Sequence, residues 1–180
     1  MEKKKEKTKP QIIIIMVGSL NSGKTELLYY LSKTMEHSST IGIDSTTIKF
    51  DIDNKEINVN IITTAGQEKM QQLPSSYFRN NNGILLIFNV TDHSSFELIA
   101  NFYDQIKKQE LIQVMIVGNR SESNEKQICI EEKEIKELIG SYDGLYYEIN
   151  NTKDENVLLL YLKEFIRRML KKKEKKETVY

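Results

Sequence analysis

The segment that most constrains this chain is Gly18-Ser19-Leu20-Asn21-Ser22-Gly23-Lys24-Thr25. It fits the pattern G-x-x-x-x-G-K-[ST], and its surroundings fit too. The β-branched run Gln11 to Val17 precedes it and reads as a buried parallel strand. The stretch Thr25 to Met35 follows it and reads as a helix. Glycines let such a loop wrap so that backbone N–H groups point inward at phosphate oxygens. The start of the helix adds the positive end of its dipole. Asn21, Ser22 and Gly23 lie in the cradle; Lys24 can reach the β- and γ-phosphates, and the Thr25 hydroxyl can ligate Mg²⁺. The loop implies a nucleoside triphosphate without saying which base or which reaction.

Around it, the runs alternate in type. Thr46 to Ile52 and Glu56 to Ile62 alternate apolar and polar residues, with Asp53-Asn54-Lys55 between them, and read as a hairpin. Gly83 to Val90, Leu111 to Val117 and Leu145 to Ile149 read as further strands. Ser94 to Gln109, Glu131 to Ile139 and Glu155 to about Lys172 read as helices, the second stopping at Gly140. Strands alternating with helices predict a mostly parallel sheet covered on both faces, with ligands at the carboxyl ends of its strands. The length of 180 residues fits one domain. No apolar run approaches the ~20 residues of a membrane span, and Met1-Glu2-Lys3-Lys4-Lys5 opens no secretory signal.

Further segments then line up in order. Ser39-Thr40-Ile41-Gly42-Ile43-Asp44 resembles the first switch of the Rab branch of Ras-like small GTPases, and Thr64-Ala65-Gly66-Gln67-Glu68 resembles the second. Tyr77-Phe78-Arg79 and Phe88-Asn89-Val90-Thr91-Asp92, followed by Phe96, resemble stretches of the same branch. Val117-Gly118-Asn119-Arg120 stands where the guanine motif stands, and Glu148 and Glu155-Asn156-Val157 bracket the last motif. The resemblance covers about residues 10–170. It implies an α/β P-loop NTPase G domain, a six-stranded mostly parallel sheet with helices on both faces. Residues 10–172 would form that domain, between a basic tail over 1–9 and a charged tail over 173–180.

It also implies roles. GTP or GDP with Mg²⁺ would be the cofactors, and the activity GTP hydrolysis to GDP and phosphate. Thr40 would join Thr25 on the metal and sense the γ-phosphate, and the Gly66 N–H would bond the same phosphate. When that phosphate leaves, both switches loosen together. Gln67 would orient the attacking water, with Lys24 and Thr40 as the other catalytic residues. Asn119, Arg120 and Glu122, with Asn150 and Asn151, would hold the base. Effectors, exchange factors and GAPs would bind through the switches, in vesicle traffic in the cytoplasm or peripherally at endomembranes.

The departures from the family pattern fall on functional positions. Thr63 replaces the Asp before Thr-Ala-Gly-Gln, which predicts weak Mg²⁺ coupling. Asn-Lys-x-Asp becomes Asn119-Arg120-Ser121-Glu122, and Ser-Ala-Lys becomes Asn150-Asn151-Thr152. GTP is still expected over ATP, with reduced affinity. Leu20 occupies a position that is small in many relatives, where it would crowd Gln67 and an incoming arginine finger. The stretch from Thr25 to Thr40 is about three residues short, leaving His37 as the nearest stand-in for the base-shielding aromatic. Slow hydrolysis follows. Two other readings compete: a pseudo-GTPase binding module with weak nucleotide or Mg²⁺ binding and little turnover, and a P-loop nucleotide kinase.

Charge refines the list of partners. Twenty-six basic residues balance 26 acidic ones, which excludes a protein built chiefly to grip nucleic acid. The balance is uneven: residues 1–10 carry five Lys and two Glu (+3), residues 163–180 carry eight Lys or Arg and three Glu (+5), and the body between them carries −8. The ends read as solvated tails offering weak contact to anionic lipid. No cysteine stands near Tyr180 and residue 2 is Glu2, so neither prenylation nor N-myristoylation is expected. Cys129 is the single cysteine, which rules out an internal disulfide, and it is expected to be a small buried hydrophobe. His37 and His93 are expected at the surface, and Glu131, Glu132, Glu134 and Glu137 on a solvated helix face. Phe165, Ile166, Met169 and Leu170 are expected to form a core stripe, Asn80 to Gly83 a turn, and Thr178 to Tyr180 a plain tail.

Overall fold

The computed structural model describes residues 11–34, 41–42, 45–63, 72–78, 83–109, 112–120, 128–140, 144–150 and 155–177. Strands β1 (Gln11–Gly18), β3 (Ser45–Ile52), β4 (Lys55–Thr63), β5 (Gly83–Asn89), β6 (Gln113–Arg120) and β7 (Leu145–Asn150) make the expected mostly parallel sheet. A two-residue strand β2 (Ile41–Gly42) extends its edge, giving the order β2-β3-β4-β1-β5-β6-β7. The pairs β2–β3 and β3–β4 are antiparallel. β1 runs parallel to both β4 and β5, β5 parallel to β6, and β6 parallel to β7.

Helices α1 (Lys24–Thr34) and α4 (Glu155–Glu177) cover one face of the sheet, and α2 (His93–Ile106) and α3 (Glu132–Ile139) cover the other. Period-two alternation sorts the central strand between them. Ile12, Ile14 and Met16 join Leu27, Leu31, Phe165 and Ile166 in one cluster. Ile15 and Val17 join Phe96, Ile99, Phe102 and Tyr103 in the other. A strand wetted on neither side needs apolar residues throughout, which accounts for the unbroken run Ile12 to Val17.

Several boundaries differ from the sequence pattern for physical reasons. The hairpin turn has two residues rather than three. Ile52 pairs with Lys55, and Asp53 (φ 52°) and Asn54 (φ 63°) both adopt the left-handed conformation. Two such residues match the twist of the flanking strands, and Asp and Asn tolerate that region better than most side chains. Gly140 ends α3 in a right-handed conformation (φ −58°), so its left-handed freedom is not what stops the helix. β6 lies later than the apolar run suggests and takes in Asn119 and Arg120. α4 continues past Lys172 to Glu177, so much of the basic C-terminal stretch is helical. The stripe of Phe165, Ile166 and Met169 is buried, with Leu170 packed against it. Cys129 is exposed rather than buried, at the surface end of a contact in which both its N–H, at 3.1 Å, and its thiol, at 3.6 Å, donate to the Val90 carbonyl.

Candidate nucleotide site

The strands β1, β4, β5, β6 and β7 end together at one edge of the sheet, at Gly18, Thr63, Asn89, Arg120 and Asn150. β1 is where the chain changes its direction of winding, because β3 and β4 lie on one side of it and β5 to β7 on the other. Such a switch point opens a crevice at the carboxyl ends of the strands.

The loop from β1 to α1 fills that point. Gly18 is required by contact: a Cβ there would run into the Ile87 carbonyl of β5 and lie 2.8 Å from Ser22 Oγ. Asn21 (φ 61°) and Gly23 (φ 90°) take the left-handed turns that close the loop. Lys24 is 8% exposed, and its ammonium is drawn over the loop, donating to Gly18 O at 2.8 Å, Ser19 O at 2.6 Å and Ser22 Oγ at 3.4 Å. Ser22 is fully buried, and its hydroxyl also donates to Ser19 O at 2.9 Å. Thr25, the second residue of α1, is exposed, as is Leu20 at 64%.

Asn119, expected to hold the base, is tied to this loop. Asn119 is 1% exposed and its Nδ2 donates to Ser22 O at 2.9 Å, across 97 residues of chain. Its Oδ1 is buried with no hydrogen-bond partner among the described residues. Its carbonyl accepts from Val90 N at 3.1 Å. Arg120, Glu148, Ile149 and Asn150 line a pocket of about 290 Å³ at the ends of β6 and β7. Arg120 and Glu148 face each other at 3.6 Å, both half-exposed, a pair that contributes at most about 1 kcal/mol. Below them, burial first and then the Glu148 charge push the Tyr146 phenol well above its usual range.

Asn21, Ser22, Gly23, Lys24, Thr25, Asn119, Arg120 and Asn150 thus come to one edge of the sheet. Thr40, Gly66, Gln67, Glu122 and Asn151, with His37, lie outside the described residues. The residues present fit a phosphate chain. A buried ammonium is held by neutral oxygens at a helix N-terminus, and the buried Asn119 Oδ1 has no hydrogen-bond partner among the described residues. For Mg²⁺ the exposed Thr25 hydroxyl is a fitting donor. Thr63, 7% exposed at the end of β4, brings a hydroxyl where a carboxylate would bring charge. No group of three His, Cys, Asp or Glu gathers among the described residues. Sequence reasoning missed Ser95, which anchors the loop from α2; its neighbours Asp92 and Ser94 mask it as part of a helix cap.

The sequence profile of the Ras family matches residues 13–171. The chain belongs to the Ras family. Ras-related protein RABE1e of Arabidopsis thaliana is 30% identical over 156 residues, covering 84% of this chain and 72% of that protein. Ras-related protein YPT3 of Nicotiana plumbaginifolia is 32% identical over 139 residues, covering 74% and 63%. Ras-related protein Ral-B of Rattus norvegicus is 35% identical over 126 residues, covering 66% and 61%. The chain is accordingly a divergent small GTPase of the Rab/Ras kind, with the α/β phosphate-loop fold of that family.

Proposed function

We propose that this Ras-family protein is a GTP/GDP switch that hydrolyses GTP slowly and serves vesicle traffic. The observation that carries the reading is the Lys24 ammonium drawn over the Gly18–Thr25 loop, with Asn119 bonded to that loop at Ser22. Phosphate and base recognition are thereby joined in one rigid piece. Lys24 meets the β- and γ-phosphate charge, and the loop N–H groups and the α1 N-terminus meet the rest. Asn119 orients the base, with the Arg120 stem along it and Glu122 as the carboxylate partner. Gln67 orients water, while Thr40 and Gly66 sense the γ-phosphate. Thr25 and Thr40 would hold Mg²⁺, which when bound supplies positive charge to the phosphate oxygens. Slow turnover rests on Leu20 beside the γ-phosphate position and on Thr63 in place of a charged residue. Trafficking rests on the Rab-named relatives. Effectors, exchange factors and GAPs would read the switches, with weak anionic-membrane contact through the basic ends. A peripheral, endomembrane-facing position in the cytoplasm goes with that reading; no helix among the described residues is long and apolar enough to cross a membrane.

Thr63 also favours the second reading, a pseudo-GTPase with little turnover. Titration with GTP, GDP and ATP, with and without Mg²⁺, followed by single-turnover phosphate release, separates the two. The switch predicts guanine preference and slow release of phosphate, whereas binding without turnover favours the pseudo-enzyme. Losing a charged group near a metal typically costs about 10–100-fold, so the metal should contribute little here. EDTA is expected to change nucleotide release only slightly; strong acceleration would refute weak Mg²⁺ coupling.

A further inference from the structure

The N-cap and first turn of α2 carry Asp92, Ser94 and Ser95 alongside His93, and the first three do different work. Asp92 is the N-cap: its Oδ1 accepts from the Ser94 N–H at 3.1 Å and the Ser94 hydroxyl at 2.7 Å, both at the surface. Capping is therefore complete without Ser95. Ser95 instead turns inward and is fully buried. Its Oγ accepts from the Asn89 N–H at the end of β5, at 2.9 Å, and from the Ser19 hydroxyl, also at 2.9 Å. Ser19 is the second residue of the phosphate loop, and its carbonyl takes the Lys24 ammonium at 2.6 Å. A path of hydrogen bonds thus runs from the framework to the cation: Asn89 N–H to Ser95 Oγ, Ser19 hydroxyl to the same oxygen, and Lys24 to the Ser19 carbonyl.

We infer that Ser95 is a positioning residue for phosphate recognition, holding Ser19, and through it Lys24, where the β-phosphate is read. The inference rests on the nucleotide-binding reading and adds to it a residue outside every nucleotide motif. Two tethers then register the loop. Asn119 holds Ser22 from the base side, and Ser95 holds Ser19 from the phosphate side. With both in place the loop has little freedom to rotate about its glycines. Without Ser95, the Ser19 hydroxyl and the Asn89 N–H lose their shared acceptor, and Ser19 is free to turn its carbonyl away from Lys24.

The distinguishing measurement compares GDP with GMP, because GMP lacks the phosphate that Lys24 reads. Affinities of both are measured for the wild-type chain and for Ser95→Ala, Ser19→Ala and the double variant. One net hydrogen bond corresponds to about three- to tenfold, so GDP should weaken by about that factor while GMP changes little. The double variant should lose no more than either single one, because both remove the same link. A merely structural role would weaken GDP and GMP together. Equal losses, or an unchanged GDP-to-GMP ratio, would overturn the inference. Ser19→Ala leaves the Ser95–Asn89 bond intact, so it decides the question should Ser95→Ala fail to fold. A wild-type chain that binds neither nucleotide would instead sink the nucleotide-binding reading itself.

Discussion

Gly18 and Leu20 show how unevenly the phosphate loop tolerates change. At Gly18 the obstacle is backbone, the Ile87 carbonyl of the paired strand, which cannot swing aside as a flexible side chain could. Gly18→Ala should therefore destabilise the fold by about 1–3 kcal/mol, the usual range for overpacking, as a drop in melting temperature. Leu20, two residues on, stands 64% exposed and touches the fold little. Leu20→Gly should leave the melting temperature nearly unchanged. If Leu20 crowds the reacting phosphate, single-turnover hydrolysis should rise on the order of tenfold, about 1.4 kcal/mol off the barrier. No gain would remove crowding as the cause of slow turnover. The loop was legible down to Lys24 and Thr25 because its chemistry demands fixed residue types at fixed spacing. Cys129 was misjudged because an apolar neighbourhood in sequence does not report exposure: the residue stands at the surface although its N–H and its thiol both bond the Val90 carbonyl.

Among the elements, α2 and α3 are joined at their N-terminal ends by His93. Its ring faces Glu134 of α3 at 3.1 Å and Glu97 of its own helix at 3.4 Å. As the first residue of α2, the imidazolium meets the unfavourable positive end of the helix dipole. Two carboxylates oppose it: the hydrogen bond to Glu134 first, then the charges of Glu134 and Glu97, raise the His93 pKa. The Glu134 pKa is lowered, chiefly by the Glu131 N–H and then by His93. A raised folded value contributes stability that is fully present below the unfolded pKa of about 6.5 and fades as pH rises through the folded value. His93→Gln should accordingly lose stability relative to wild type near pH 6, with the difference closing above the raised pKa. Urea midpoints across that range would show it, and a difference that grows with pH would contradict the pairing. The elements themselves were largely legible, since apolar runs and helical stripes report burial directly. Their ends were not. Asn119 and Arg120 continue β6 because β7 is there to pair with them, a long-range fact invisible in a polar tetrapeptide.

For the whole molecule, each face of the sheet is sealed chiefly by one helix, α2 supplying Phe96, Ile99, Phe102, Tyr103 and Ile106 on its own side. α4 brings Leu158, Leu162, Phe165, Ile166 and Met169 to one face, so a single helix supplies much of that side's seal. Phe165 is fully buried and packs close to Gly83 of β5. Phe165→Ala should cost about 3–5 kcal/mol, a large share of the 5–15 kcal/mol that keeps an ordinary domain folded. Calorimetry or urea unfolding would measure it, and saturating nucleotide should recover part of the loss by mass action. The central place of β1 carries a further consequence, for the chain as it is being made. β1 is the first described strand to leave the ribosome, yet its partners are residues 58–63 on one side and 83–87 on the other. The two tethers of its loop come later still, from Ser95 and Asn119. The nascent chain must carry a finished phosphate-loop sequence without its full framework until Asn119 has emerged. Nucleotide can therefore reward only a chain grown past Asn119, and it acts as a check on the assembled site rather than as a template for the early stages of folding.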